Sequence, residues 1–256
     1  MTSYSVEASS LNKSFGRRLI FNDLQFKFNQ AGVYGISGPN GSGKSTLVKI
    51  IAGILGASKG KIVHRLNDKE ISEENFHDHI GFVSPYLILY EEFSTYENMK
   101  LFAQIRGVKF NQDRVDYLLN KFLLFKRKDD LLKTYSSGMK QRVKFIFALM
   151  HLPQLLILDE PTNHLDYTSK LILQKALINF NGSLILVSHD VDFLRPIASK
   201  IVDIRRGKLK TYLGDIDYFL SKRDLSSLER DTVVKKKKEK VETINRKEQK
   251  RIEAEL

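Results

Sequence analysis

The feature that most constrains this chain is a glycine-rich stretch between an apolar run and a helix-forming run. The run Val33–Ile36 precedes the sequence Gly-Pro-Asn-Gly-Ser-Gly-Lys-Ser at 38–45, and a helical pattern covers Lys44–Ala52. Glycine serves where the backbone takes conformations that other residues avoid, so this stretch predicts a tight turn from a strand into a helix. A chain organised around such a turn is expected to have an α/β fold.

The rest of the body alternates short β-rich runs with helical patterns, which favours a mixed, largely parallel sheet. Further strands are predicted at Ile80–Val83, Leu155–Leu158 and Leu184–Val187. Apolar residues at spacings of three and four predict four more helices, at Tyr96–Arg106, Gln112–Leu124, Met139–His151 and Thr168–Phe180. We expect Ser5–Phe28 to form a separate antiparallel β layer, and residues 86–150 to form a helical subdomain of a domain at 1–221.

Composition narrows the class of protein. The 256 residues contain no cysteine, which rules out disulfides and thiolate metal sites and fits a reducing cytosol. No apolar run approaches the ~20 residues that span a bilayer, and the first ten residues lack the apolar core of a signal peptide. The net charge of +12 is compatible with an acidic partner, such as nucleic acid or a membrane surface.

The glycine-rich stretch has the form of a P-loop, whose backbone N–H groups surround phosphate oxygens at a helix N-terminus. Lys44 is expected to reach the β- and γ-phosphates of ATP, Ser45 to ligate Mg²⁺, and Thr46 to add a hydroxyl contact to phosphate. The predicted nucleotide-binding loop therefore consists of Gly38, Pro39, Asn40, Gly41, Ser42, Gly43, Lys44, Ser45 and Thr46.

Two later strands end in residues that suit phosphate hydrolysis. Asp159 and Glu160 follow the apolar run Leu155–Leu158, so Asp159 can hold Mg²⁺ through water while Glu160 polarises the attacking water. His189 follows the next strand and is expected beside the γ-phosphate if the two strands are neighbours. The predicted catalytic residues are thus Glu160, His189 and Lys44.

The stretch Tyr135-Ser-Ser-Gly-Met-Lys-Gln-Arg142 resembles the signature motif of ABC-type ATPases, about twenty residues before the Asp159–Glu160 pair. The resemblance runs from about residue 5 to 210. It implies that two chains enclose two ATP molecules head to tail, with Phe15 stacking on adenine and residues 163–166 crossing the dimer interface. The signature residues that would face the nucleotide of the opposite subunit are Ser136, Ser137, Gly138 and Met139.

Two motifs depart from the family pattern. After the strand Ile80–Val83 the family usually has a glutamine that links Mg²⁺ to the helical subdomain, but Pro85 occupies that place. Proline has neither a side-chain ligand nor an N–H, so another group or a water must serve there. Ser137 and Met139 replace the commoner glycine and glutamine of the signature, in a form similar to a subset of exporter ATPases.

The resemblance leaves two roles open. Residues 32–159 resemble the ATPase subunit of a bacterial exporter, with an apolar and aromatic segment Tyr86–Tyr90 where such subunits receive a membrane permease. From Asn163 onward the chain is similar to ABC-F proteins, ATPases that act on ribosomes and normally carry two ATPase domains. We expect an exporter subunit, dimeric, cytoplasmic and peripheral at the inner face of the cell membrane. The alternative is a ribosome-associated ATPase.

The segment from Lys222 to Leu256 is a compositional unit of its own. It contains twelve Lys or Arg and eight Asp or Glu residues, including the run Lys235–Lys238, and has neither glycine nor proline. Lys, Glu and Arg favour helix, so the sequence predicts a basic helical tail, with a solvated, frayed terminus as the alternative. Such a tail could contact ribosomal RNA.

Neutralising the run Lys235–Lys238 tests that contact. If these side chains meet RNA phosphates, the change removes up to four phosphate contacts and flattens the salt dependence of ribosome binding, while ATPase activity survives. Ribosome co-sedimentation at two salt concentrations measures the effect, with a chain truncated after Ser221 as the control. Absence of ribosome binding by the unmodified protein at low salt would contradict the ribosomal role.

Overall fold

The computed structural model describes residues 3–29, 32–163 and 165–223. The chain divides into two compact units, residues 1–215 and residues 216–256. The described part of the second unit is a helical stretch at 216–223. Most of the predicted tail, including Lys235–Lys238, lies outside the described residues, so the predicted boundary at 221 and 222 stays a prediction.

The first unit is organised around a six-stranded sheet in the order β10-β9-β3-β8-β7-β6. Neighbouring strands are parallel except β10, which is antiparallel to β9. Every residue of β7 and β8 is buried, as expected for central strands covered on both faces. The six strands are β3 (Val33–Ser37), β6 (Ile80–Val83), β7 (Leu155–Asp159), β8 (Ser183–Val187), β9 (Lys200–Arg205) and β10 (Lys208–Tyr212).

A second, antiparallel sheet in the order β2-β1-β4-β5 confirms the predicted N-terminal β layer. It is larger than predicted, because the chain returns to it after the first helix with two strands that lack a clear apolar alternation. Buried side chains of this layer, such as Leu11 and Phe21, pack in one core with Leu47 and Ile36. Its strands are β1 (Tyr4–Phe15), β2 (Arg18–Phe28), β4 (Lys59–Leu66) and β5 (Lys69–Glu70).

Six α-helices complete the first unit: α1 (Lys44–Ile51), α2 (Thr95–Ile105), α3 (Gln112–Lys121), α4 (Ser137–Leu149), α5 (Tyr167–Ile178) and α6 (Val191–Leu194). Short 3₁₀ helices lie at Phe76–His79, Phe125–Arg127 and Leu132–Thr134. None of the helices among the described residues has both the length and the apolar character that crossing a bilayer requires.

Capping residues explain where the helices begin. Ser94 forms a capping box with Glu97, in which each side chain accepts from the backbone N–H of the other residue. Asn111, Ser136 and Asp166 cap α3, α4 and α5 through their side chains. The cap at Ser136 starts α4 two residues before the predicted Met139. Helix α3 ends three residues before the predicted Leu124, because Leu123 takes a left-handed backbone conformation with φ of 56°.

The order of the parallel strands determines where the polar motifs lie. Strand β8 is the neighbour of both β3 and β7, with Val187 paired to Ile36 and to Asp159. The carboxyl ends of parallel strands meet at one edge of the sheet, where α/β folds bind ligands. The loops after β3, β7 and β8 therefore lie close together. His189 was expected near Glu160 if the strands before them were neighbours, and β8 and β7 are neighbours.

Candidate functional site

A cleft of about 570 Å³ opens at this edge of the sheet. Most of the predicted nucleotide-binding and catalytic residues line it, together with two residues that the sequence analysis did not select. The lining consists of Phe15, Arg18, Ile20, Asn40, Gly41, Gly43, Lys44, Ser45, Thr46, Glu160 and His189. Of the other predicted loop residues, Pro39 and Ser42 line an adjoining cavity of about 550 Å³.

The backbone of the loop between β3 and α1 requires glycine at two crowded positions. Gly38 has φ of 148°, and a Cβ there would lie 2.4 Å from the carbonyl oxygen of Ile204. Gly43, which caps α1, has φ of 98°, and its Cβ would lie 2.7 Å from a methyl carbon of Ile20. Side chains rarely adopt these conformations, so the sequence pattern follows from backbone geometry as well as from phosphate binding.

Polar groups of the loop suit a phosphate. The Lys44 ammonium donates to the carbonyl oxygens of Gly38 (2.9 Å) and Pro39 (3.1 Å), which holds its charge over the loop. The Ser42 hydroxyl is buried without a hydrogen-bond partner. Buried polar groups normally find a partner, and phosphate oxygens are the acceptors that this arrangement at a helix N-terminus favours. The residues present therefore fit the triphosphate of ATP.

The structure brings Ser45 and Asp159, the two residues predicted to hold Mg²⁺, into contact. The Ser45 hydroxyl donates to Asp159 Oδ1 at 2.8 Å, although the residues are 114 positions apart in the chain. Burial raises the pKa of the Asp159 carboxyl, whereas the hydrogen bond from Ser45 and the charges of Lys49 and Lys44 act in the opposite direction. A hydroxyl and a carboxylate are oxygen ligands of the type that Mg²⁺ prefers, so this donor set fits the ion.

Glu160 has an unusual backbone. Its φ is 49°, in the left-handed region, and its N–H donates to the carbonyl oxygen of Val187 at 2.9 Å. Such conformations cost about 1–3 kcal/mol in non-glycine residues and cluster at functional sites. The turn brings a Glu160 carboxylate oxygen 3.4 Å from His189 Nε2 at the cleft.

The loop after β8, which carries His189, is anchored on both sides. The Asp190 carboxylate caps α6 by accepting from the N–H of Phe193 and pairs with the Lys170 ammonium at 2.6 Å. The Ser188 hydroxyl accepts from the N–H of Asp190 and lies 3.3 Å from the Thr162 hydroxyl. These contacts fix the backbone on each side of His189 while its side chain stays about half exposed.

The charges at the cleft compensate each other. Burial lowers the pKa of the Lys44 ammonium, and the carboxylates of Glu160, Asp159 and Asp203 oppose that effect. Burial also raises the pKa of the Glu160 carboxyl, against which the charge of His189 acts. Each buried charge thus has an opposite charge nearby, as buried ions require.

Sequence reasoning missed two charged residues of this region. Arg18 lies opposite Phe15 in the β1–β2 register, and its guanidinium reaches the neighbourhood of Gly41. Asp203, on the strand next to β3, is buried under the loop, pairs with Arg205 at 2.7 Å and acts on Lys44. A basic residue three positions after Phe15 was a readable signal for Arg18. Asp203 could be found only through the strand order.

The signature residues lie at the start of α4, outside the lining of this cleft, and Ser137 shares a second cavity with Glu160. Ser136 caps α4 by accepting from the N–H of Met139 at 3.3 Å, and Arg127 contacts the Met139 sulfur. A Cβ at Gly138 would lie 2.7 Å from the Ser169 hydroxyl, so α4 packs closely on the start of α5. Among the described residues, those that line the ATP cleft include none of the four signature positions.

The interface segment predicted at 163–166 is described except for His164. Asp166 caps α5, where its carboxylate accepts from the N–H of Ser169 at 2.7 Å and from the Ser169 hydroxyl at 3.1 Å. Asn163 is exposed. The segment thus lies beside Gly138 of the signature.

The segment after β6, where Pro85 replaces the usual glutamine, exposes apolar rings and chains. Tyr86 is 75% and Ile88 is 86% exposed, and Tyr90 is also exposed. A cavity of about 350 Å³ lies beside them, lined by Leu87, Leu89, Leu132, Lys140 and neighbouring residues of α4. Glu160 lines the same cavity, so this surface adjoins the cleft that Glu160 also lines.

Comparison with known proteins agrees with this geometry. The ABC transporter family model matches residues 21–163, and the chain belongs to the ABC transporter ATPase family. It is 33% identical over 207 residues to the lantibiotic transport ATP-binding protein SrtF of Streptococcus pyogenes, covering 80% of this chain and 88% of that protein. The fold matches a nucleotide-free ATP-binding cassette from an ABC transporter, with a TM-score of 0.74 and 20% identity over 85% of this chain and 95% of that one.

A second group of relatives covers more of this chain. ABC transporter F family member 2 of Arabidopsis thaliana is 31% identical over 239 residues, which is 92% of this chain but 34% of that protein. The chain spans about a third of this longer relative. Both comparisons support the same coarse activity: the protein is an ATP-binding, ATP-hydrolysing enzyme of the ABC type.

We expect Arg18→Ala to weaken nucleotide binding. A guanidinium at the cleft can donate to phosphate or purine acceptors, and hydrogen bonds to charged groups contribute about 1.5–3 kcal/mol, so the dissociation constant should rise by roughly tenfold or more. Fluorescent ATP-analogue titration measures this. Arg17→Ala is the matched control, because Arg17 is exposed and does not line the cleft. Equal effects of the two changes would contradict a specific role for Arg18.

Proposed function

We propose that the protein hydrolyses MgATP in sites formed between two copies of the chain, as the ATPase subunit of a membrane exporter. The loop 38–46 binds the triphosphate, Phe15 stacks on adenine, and Lys44 neutralises charge on the β- and γ-phosphates. Ser45 and Asp159 would hold Mg²⁺, which supplies charge neutralisation on the phosphate oxygens. The observation that supports the hydrolytic site most directly is that Ser45, Glu160 and His189 line one cleft, with Ser45 bonded to the buried Asp159.

In the proposed reaction Glu160 orients and polarises a water for in-line attack on the γ-phosphorus. Burial raises the pKa of the Glu160 carboxyl, so the carboxylate is stabilised when it accepts a proton or a hydrogen bond. His189, 3.4 Å away, donates to the γ-phosphate and keeps Glu160 oriented. The P–O bond to ADP breaks as the water adds, and Lys44 stabilises the charge on the transferred group.

A second copy is proposed because the signature residues lie at the start of α4, outside the lining of the cleft. The cleft is open, with Phe15 and His189 about half exposed, and its lining among the described residues includes no signature position. A partner chain could cover it with Ser136–Met139 and exclude water from the reacting groups. Two enclosed nucleotides would offset the entropy lost on association, so the protein should be monomeric without ATP.

Glu160→Gln is expected to retain ATP binding and to lower hydrolysis about 100-fold or more, since Lys44, Ser45 and Phe15 are unchanged while the water loses its carboxylate. An ATP-bound dimer should then accumulate. Size-exclusion chromatography with MgATP and phosphate release measure the two effects, with Glu92→Gln, an exposed position, as the control. Lys44→Ala should abolish binding. A Glu160→Gln protein that stays monomeric would argue against the self-dimer and for an unlike partner.

The exporter role is proposed from the exposed segment 86–90. Exposed apolar side chains beside a cavity mark surfaces that bind other proteins, and here Ile88 and Tyr86 adjoin a cavity lined by Leu87, Leu89 and Leu132. The similarity to a lantibiotic transport ATP-binding protein over 88% of its length supports the same role. A short helix of a permease, with apolar side chains, would suit this surface, and the protein would then lie peripherally at the cytoplasmic face of the membrane.

Photo-crosslinking from position 88 tests the exporter role in the cells that produce the protein. A photoreactive amino acid in place of Ile88 should link the protein to an integral membrane protein, recovered in the membrane fraction, because this side chain is 86% exposed and free to meet a partner. The same amino acid at Tyr117, exposed on α3, is the matched control. Crosslinks from position 88 to ribosomal proteins would contradict the exporter role.

A ribosome-associated ATPase is the second candidate, and one observation favours it. The match to ABC transporter F family member 2 spans 92% of this chain, against 80% for SrtF. The added length implies that similarity to the ABC-F protein extends beyond the part shared with SrtF. Ribosome co-sedimentation at low salt separates the two candidates.

A further inference from the structure

Lys49 and Tyr86 form a contact between the P-loop helix and the exposed segment. The Lys49 ammonium lies 4.8 Å from the centroid of the Tyr86 ring, the geometry of a cation–π interaction. Tyr86 lies in a tight turn closed by a hydrogen bond from the N–H of Leu87 to the carbonyl oxygen of Ser84 (3.2 Å). The turn is also held by Lys144, which donates to the carbonyl oxygen of Pro85 at 3.1 Å. The ring is thus presented to Lys49 by a fixed backbone.

The same lysine lies close to the carboxylate that would bind the metal. Lys49 follows Ser45 by four residues on α1, so both side chains project from one face of the helix, and Ser45 donates directly to Asp159. From the other side, β6 and β7 are parallel neighbours with Val83 paired to Leu158, which places Ser84 beside Asp159. The charge of Lys49 acts on the Asp159 carboxyl.

We propose that Lys49 can compete with a metal ion for the Asp159 carboxylate, and that the Tyr86 ring holds its ammonium group away from Asp159. The proposal rests on the assignment of Asp159 to the metal. Pro85 offers no side-chain ligand to a metal ion. A Lys49 side chain released from the ring can pair with Asp159 and compete with a divalent cation for the same oxygens. The contact gives the exposed segment a route to the ATP site, because a partner that covers Tyr86 acts on the same pair.

The test uses Mn²⁺ as the metal probe and ADP as the nucleotide, with bound Mn²⁺ measured by electron paramagnetic resonance on the full chain. Tyr86→Leu should raise the half-saturating Mn²⁺ concentration about two- to fivefold, the range that corresponds to an exposed cation–π contact. Tyr86→Phe keeps the ring and should match the unmodified protein. In a Lys49→Gln background, Tyr86→Leu should have no further effect, because no cation is left to release.

Two further variants distinguish a failure of the Asp159 metal assignment from a failure of the role given to the Lys49–Tyr86 pair. Tyr117→Leu removes a ring from a comparable exposed cation–aromatic pair, with Lys121 at 5.9 Å, and should leave Mn²⁺ binding unchanged. Asp159→Asn should abolish tight Mn²⁺ binding. If Asp159→Asn binds Mn²⁺ normally, the metal assignment and this proposal both fail. If Asp159→Asn loses the metal but Tyr86→Leu is silent, or acts equally with Gln at position 49, only the role of the Lys49–Tyr86 pair is overturned.

Discussion

The hydrogen bond between Ser45 and Asp159 is the contact on which the site depends. It joins the first turn of α1 to the end of β7 across 114 residues of chain, and it forms only when β8 separates β3 from β7 by one strand. That strand order also brings His189 between the loop and Glu160. A change in the pairing of β8 would therefore separate these side chains, although every motif would remain in the sequence.

Burial of charged groups at this site costs free energy, and the same burial suits the site to a charged ligand. Lys44 and Asp159 are almost fully buried, and transfer of either ion alone out of water would be strongly unfavourable. Each is stabilised by opposite charge and by hydrogen bonds, which Lys44 donates to the loop carbonyls and Asp159 accepts from Ser45. Glu160 combines a strained backbone conformation with a carboxyl whose pKa is raised by burial. A bound triphosphate with its metal ion would bring both negative and positive charge to the same groups, so the site is preorganised for that ligand.

The sequence predicted those parts of the structure that local chemistry specifies. The turn at Gly38–Ser45 has a φ that favours glycine at three positions, and β7 and β8 consist of apolar runs, so these features were readable. Strands β4, β5 and β10 were not, because exposed polar residues interrupt their apolar pattern. In β9 the buried Asp203 interrupts the apolar run. The sequence did not indicate a role for Asp203 or Lys49, because each contacts its neighbour only when strands or helices far apart in sequence pack together.

Pro85 shows how a departure from a family pattern can be absorbed by the surrounding structure. Glutamine at that position would offer a neutral oxygen to a metal ion, whereas proline leaves the turn with only its backbone carbonyl, which accepts from Lys144. The adjacent Tyr86 meets a cation rather than a metal ligand, and that cation extends from the same helix face as Ser45. The physical link between the exposed segment and the ATP site is thus electrostatic in this chain. Its strength depends on how well water or a partner protein screens the Tyr86 ring, so exposure of this one side chain becomes a variable of the active site.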